Sequence, residues 1–290
     1  MRLHGRAARH GCFLLVALGT FLTLRGYQSR EGDQTHRLPL LYARLDPTFY
    51  RDDPFVRAFD TFNPHEGSLS LMTWASQPLG VSAALFGLFA LSFLLTSYGL
   101  ERLTRLVWPL APLGIGWCAV GLVMLAKAGN VGTNHLFEPM LLDRLMALAL
   151  FWPALAWLVQ DPARFALPSA LAIALSTWIH PSLGTQLLLW LLATLATWAC
   201  WPSRGGVSRS VATRTALILC AVAGPMAARQ LWVGRDVLDG LPVEDVLSIA
   251  GFIQSPQHLI PHLWRLPQWL AFGAFVVLTL CELHHHRRLR

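Results

Sequence analysis

A polar stretch at residues 31–55 carries the first side chains whose types and spacing could do chemistry. It reads EGDQTHRLPLLYARLDPTFYRDDPF and follows an apolar run. Asp33 and His36 lie near its start, where a carboxylate can act as a general base or hold a divalent cation. Asp52 and Asp53 are adjacent, as in carboxylate pairs that help to hold a metal or a diphosphate–metal pair. The alternative is a solvated loop in which these acids pair with the interspersed arginines.

A second polar group, GTNHLFEPMLLDRL at residues 132–145, leads into another apolar run. It contains His135, Glu138 and Arg144. The planar guanidinium group of Arg144 suits an oxyanion such as phosphate. Pro139 limits any helix that would bring Glu138 beside His135. The alternative is an interfacial arginine that contacts a neighbouring acid or a lipid phosphate.

Histidines next to prolines form the third group. His180, in TWIHPSLG, lies between two apolar runs, where an imidazole needs a polar partner or a wet cavity. His258 and His262, in SPQHLIPHLWRLPQW, are four residues apart, although Pro261 argues against a regular helix there. A zinc site is conceivable, but the spacing matches no metalloprotease motif. The alternative for His180 is a structural histidine with a satisfied partner.

The composition indicates that these groups are positioned by membrane helices. Of the 290 residues, 54% are hydrophobic and 13% are charged, whereas a soluble domain has about 25% charged residues. A bilayer core requires about 20 apolar residues per helix, and shorter runs also occur. Eight runs qualify: residues 11–24, 79–99, 106–126, 145–160, 166–179, 183–201, 215–233 and 267–283. The first resembles a signal peptide but has no A-x-A-like cleavage site, so we expect an uncleaved helix.

The distribution of charge predicts how the helices are oriented. With the N-terminus inside, the inner segments hold twelve arginines but only three of the sixteen acids, as the positive-inside rule requires. The exterior loops are then residues 25–68, 127–144 and 234–264. We expect one polytopic domain over residues 1–290, in a bacterial inner (plasma) membrane, with both termini cytoplasmic. The net charge of +7 comes from scattered arginines, so we expect the lipid bilayer and no nucleic acid as partner.

The order of these features resembles the GT-C superfamily of integral membrane glycosyltransferases, and in particular a group of uncharacterised bacterial polytopic proteins related to it. The stretches that carry the resemblance are GDQTHRLPLLYARLDPTFYRDDPFV, NHLFEPMLLDRLMALAL, WIHPSLG and QSPQHLIPHLW. The resemblance implies an all-α membrane fold and transfer of a sugar from a polyprenyl-phosphate donor at the outer face. Transferases of this kind are longer, so we expect either a fragment, truncated at the C-terminus, or a reduced form.

The resemblance also implies roles for particular residues. Asp33 becomes the catalytic base, or the carboxylate that organises metal and acceptor. Arg144 becomes a contact to the donor phosphate. The further substrate-binding candidates are His36, His180, His258 and His262. Asp52 and Asp53 are the candidate metal ligands, and a divalent cation is the one cofactor considered.

Two other functions are compatible with the sequence. A transporter would need ionisable residues within its spans, and the apolar runs hold few apart from Arg229 and the boundary residue His180. A non-catalytic membrane protein, such as a degraded transferase, would tolerate changes at Asp33. The sequence leaves the sugar, the acceptor and the oligomeric state open.

Overall fold

The computed structural model describes residues 2–29, 32, 34–59, 63–109, 113–125, 137–200, 207–238, 242–248 and a few positions between 266 and 281. Every regular element in these residues is an α-helix, so the predicted all-α class is confirmed. In chain order the helices are α1 (Arg2–Arg25), α2 (Gln34–Leu45), α3 (Pro54–Ala58), α4 (Glu66–Leu79), α5 (Val81–Val107), α6 (Leu113–Leu125), α7 (Asp143–Gln160), α8 (Pro162–Ile179), α9 (Pro181–Cys200), α10 (Arg209–Leu238) and α11 (Val243–Ser248).

Three of the described helices are long and apolar enough to cross a membrane. They are α5, α9 and the Arg209–Arg229 part of α10. Helices occupy the first seven predicted runs, but the expected count of about eight spans is not supported. The apolar parts of α1 and α6, His10–Arg25 and Gly114–Met124, are shorter than 18 residues. The eighth predicted run, 267–283, lies mostly outside the described residues.

Polar residues explain why α7 and α8 do not qualify as candidate spans. Both helices have 18 residues. However, α7 begins with Asp143 and Arg144 and ends with Gln160, which leaves a shorter apolar centre. Helix α8 carries Arg164 in its first turn and proline, serine and threonine further along. Helix position was therefore easier to predict than the number of membrane crossings.

The segment predicted as a long loop, residues 25–68, contains two helices. Leu38, Leu40 and Leu41 of α2 are buried, so this helix is held by an apolar stripe. Helix α3 is a short turn that begins after Asp53. Helix α4 begins at Glu66, near the end of this segment. The segment thus forms structure that packs on the apolar helices.

Helices α5, α7 and α8 form the centre of the fold. The Arg102 guanidinium at the end of α5 donates to the side-chain oxygen of Gln160 at the end of α7, at 2.7 Å. At the opposite end, Leu85 and Leu141 line the same small cavity. Helices α5 and α7 therefore run parallel, and α8 returns towards the start of α7. We call that end, where α4 and α7 begin and α8 ends, the Asp143 end.

Close contacts between these helices depend on small residues. A Cβ atom added to Gly99 of α5 would lie 2.5 Å from the backbone carbon of Trp152 on α7. Across the other face of α7, the hydroxyls of Ser169 and Ser176 on α8 donate to the carbonyl oxygens of Ala154 and Ala147, at 3.1 and 3.0 Å. Small side chains and hydroxyl-to-carbonyl bonds of this kind are typical of helix packing in membranes.

The chain divides into two compact units. The first comprises Met1–Gly121 and Glu138–Val237, and it contains most of the described helices. The second comprises Leu122–Phe137 and Leu238–Arg290, of which α11 is the main described element. All of the side chains in the site below belong to the first unit.

Candidate functional site

A buried carboxylate, Asp143, lies at the centre of the polar residues at the Asp143 end. It occupies the first turn of α7, where the helix dipole favours a negative charge. Only 5% of its surface is exposed. The Nε atom of Arg37 donates to its Oδ2 atom at 3.0 Å. The Nδ1 atom of His65 lies 2.7 Å from the same oxygen, although its alignment is poor for a hydrogen bond.

Three separate segments bring these groups together. Arg37 is on α2, and the nearby Gln34 side chain donates to the carbonyl oxygen of Leu141 at 3.2 Å, which fastens α2 beside the start of α7. His65 directly precedes α4. A Cβ atom on Gly67 would lie 2.1 Å from the carbonyl oxygen of Trp178. Glycine is therefore required there for the start of α4 to reach the end of α8.

The environment of Asp143 keeps its side chain ionised. Burial acts to raise the pKa of this carboxyl, as removal from water does for any acid. The contact with His65 and the positive charge of Arg37 lower the pKa by more, so it lies below its ordinary value. Asp143 is thus a fixed negative charge at neutral pH, and a weak proton acceptor.

His180 lies between α8 and α9 and ends one helix while it begins the other. Its Nδ1 atom accepts from the backbone N–H of Leu183 at 3.4 Å and lies 3.3 Å from the Ser182 hydroxyl. The neutral ring therefore carries its proton on Nε2. Burial lowers the pKa of His180, and repulsion from His65 and Arg144 adds to this, although the Asp143 charge opposes it. His180 is thus a neutral hydrogen-bond donor at pH 7.

These groups surround one small polar cavity. Its lining residues are Arg37, Leu141, Leu142, Asp143, Arg144 and His180. Arg144 forms an ion pair with Glu138, which lies just before α7. The cavity measures about 40 Å³, which is room for about three water molecules. It can accommodate part of a polar ligand, and its lining offers guanidinium and imidazole donors together with the Asp143 carboxylate.

The structure brings together two of the residues selected from the sequence and places three others elsewhere. Arg144 and His180 line the same cavity. His36 is exposed, and its ring centre lies 6.1 Å from that of Phe55. Asp52 is exposed. Asp53 caps α3, since its carboxylate accepts from the backbone N–H groups of the second and third residues after it.

The remaining selected residues are Asp33, His258 and His262, which lie outside the described residues. Of their chain neighbours, Gly32 and Gln34 lie beside Met140 and Leu141, respectively. Within the described residues, no group of three or more histidines, cysteines or acids is arranged to hold a metal ion.

Sequence reasoning missed Arg37, His65 and Asp143 as members of the site. A signal for Asp143 was available, since an acid that directly precedes an apolar helix is costly unless it has a partner. Nothing in the sequence pairs it with Arg37, which is 106 positions away. His65 gives no local signal either, because its role comes from the packing of α4 against α8.

A second ion pair, between Arg44 and Glu66, lies outside the cavity and offers a comparison. The Arg44 Nη1 atom donates to Glu66 at 3.0 Å, and 44% of the Glu66 side chain is exposed. The hydrogen bond from Arg44 holds the pKa of Glu66 below its ordinary value. The Asp143 pair differs from this one in its burial and in its position on a cavity.

Within the part of the chain that the structure describes, fold and site together define an all-helical arrangement with three helices that could cross a membrane and a buried, charged cavity at one end. The apolar helices indicate association with a lipid bilayer. Comparison with protein-family models, curated proteins and solved structures finds no match to this chain.

Proposed function

We propose that the chain is a membrane glycosyltransferase-like protein that transfers a sugar from a polyprenyl-phosphate donor to an acceptor at the outer membrane face. The observation that carries the proposal is the meeting of Arg144 and His180 in one cavity with Asp143. The resemblance to GT-C transferases supports the same reaction. The protein then resides in a bacterial inner membrane with both termini in the cytoplasm and the cavity on the opposite side.

The position of the cavity suits a substrate with a lipid tail. His180 directly precedes Pro181, the first residue of a candidate membrane span. The cavity therefore lies where an apolar helix gives way to polar segments, which is the level of a lipid head group. A lipid-linked sugar carries its own leaving group, so the protein has to supply orientation, electrostatic stabilisation and shielding from water.

The test is a transfer assay on the full chain, reconstituted in lipid nanodiscs with polyprenyl phosphates that carry radiolabelled sugars. We expect Arg144→Ala and His180→Ala each to reduce transfer at least about 100-fold, the loss typical of removing a group that orients or stabilises the transition state. Arg44→Ala is the matched control, because Arg44 also pairs with an acid but does not line the cavity. Asp33→Asn tests the predicted base.

Full activity in both the Arg144→Ala and the His180→Ala variants would contradict the proposal, provided that the wild-type chain transfers sugar. An inactive wild type, tested with several sugars, favours the second candidate function.

That second candidate is a non-catalytic membrane protein. The observation that favours it is that Arg37 and Arg144 each have a carboxylate partner, Asp143 and Glu138. Such a network can hold helices in register without binding any substrate. If this is the function, substitutions in the cavity change only the stability of the protein. The wild-type protein then shows no transfer activity and no selectivity among lipids.

A further inference from the structure

Among the described residues, the charged groups at the cavity and their ion-pair partners are balanced. Arg37 is paired with Asp143, and Arg144 is paired with Glu138. The two positive and two negative groups cancel, and His180 adds no charge when neutral. His65, behind Asp143, adds a positive charge only when it is protonated. A phosphate group placed here would face the Asp143 carboxylate, and both guanidinium groups that line the cavity already have a carboxylate partner.

A phosphate site usually offers an excess of donors and positive charge. This cavity instead places an acceptor, the Asp143 carboxylate, beside its guanidinium and imidazole donors. Hydroxyl groups require such an arrangement, since each hydroxyl both donates and accepts. Among the described residues, both polar contacts to Asp143 go to Oδ2. Its Oδ1 atom is thus available to accept from a hydroxyl in the cavity.

We propose that the cavity binds hydroxyl groups of the sugar and leaves the lipid phosphate to be bound elsewhere, with Asp143 as the main hydrogen-bond acceptor. This inference rests on the proposed function, because it names the part of the lipid-linked sugar that the site recognises. Arg37 and His65 are positioning residues in this arrangement, since they hold Oδ2 and thereby direct Oδ1. Arg144 and the Nε2–H group of His180 donate to sugar oxygens.

The experiment compares two ligands of the full chain in nanodiscs. One is polyprenyl phosphate, and the other is the same lipid carrying glucose, mannose or N-acetylglucosamine. We expect wild-type protein to bind at least one sugar-bearing lipid about tenfold more tightly than polyprenyl phosphate, since one well-made hydrogen bond contributes about that factor. Equal affinities for all four lipids would overturn the inference and leave sugar transfer as a possible reaction of the protein.

Asp143→Asn distinguishes hydroxyl binding from phosphate binding, because the two predict different changes in the affinity for polyprenyl phosphate. If the cavity binds hydroxyls, this variant loses the preference for the sugar-bearing lipid, and its affinity for polyprenyl phosphate stays within about twofold. If the cavity binds phosphate, removal of a negative charge raises the affinity for every phosphate-bearing lipid, and the inference is wrong. Glu66→Gln is the control, since it removes a paired carboxylate outside the cavity.

Glu138→Gln provides the same comparison if Asp143→Asn does not fold. Glu138 lies outside the helices, so its replacement disturbs packing less. The inference predicts wild-type affinity for polyprenyl phosphate, whereas a rise of about tenfold or more would show Arg144 to be a phosphate ligand and refute it. If wild-type protein binds none of these lipids, the proposed function fails and the inference fails with it.

Discussion

Loss of one partner from the buried ion pair between Arg37 and Asp143 should be among the most destabilising single changes at the Asp143 end. Asp143 is 5% exposed and the Arg37 side chain is 19% exposed, with 3.0 Å between their Nε and Oδ2 atoms. Loss of one partner from a buried pair costs about 3–5 kcal/mol, because the other charge remains without compensation. Since Arg37 retains some contact with solvent, we expect Asp143→Ala to cost about 3 kcal/mol.

The exposed ion pair of Arg44 and Glu66 is the reference against which this cost is compared. Glu66→Gln should cost at most about 1 kcal/mol, as is usual for ion pairs at a surface. The double variant Arg37→Met with Asp143→Leu should recover most of the loss, because it removes both buried charges and keeps the volume filled. The measurement is the free energy of unfolding in detergent micelles, obtained from denaturant titration.

An Asp143→Ala variant as stable as Glu66→Gln would contradict this prediction. So would an Arg37→Met, Asp143→Leu double variant no more stable than Asp143→Ala alone. Either result would mean that the pair is solvated enough for water to replace the missing partner.

Two further predictions concern helix packing and pH. Gly99→Ala should destabilise the fold by about 1–3 kcal/mol, because its Cβ would meet the backbone of α7. Gly87→Ala, on the same helix, has open space and should be neutral or slightly stabilising. Equal effects of the two changes in thermal unfolding would contradict the close approach of α5 to α7. The lowered pKa of His180 means that the unfolded chain binds more protons below about pH 6.5. The free energy of unfolding should therefore be highest above that pH and fall as the pH decreases. In His180→Asn, which retains a capping side chain, the free energy of unfolding should depend less on pH between about pH 7.5 and 5.5.

Some features of this protein follow from local sequence alone. Apolar runs predicted the positions of seven helices, and the gap between the runs at 166–179 and 183–201 predicted the break between α8 and α9. These features depend on residues within one or two turns of each other, so no tertiary information is needed. Arg144 and His180 could be selected from the sequence for the same reason. A charged or ionisable side chain beside an apolar run is a local signal that does not depend on how the helix packs.

The tertiary structure decided which polar residues meet. Asp143 contacts Arg37 and His65, which are on other helices, and this pairing depends on close approaches such as that of Gly67 to Trp178. The sequence contains many acids and arginines, and nothing in the local sequence favours one acid–arginine pair over another. Only the packing of α2, α4, α7 and α8 selects one set of partners, because charge pairing is short-range in space and carries no signature along the chain.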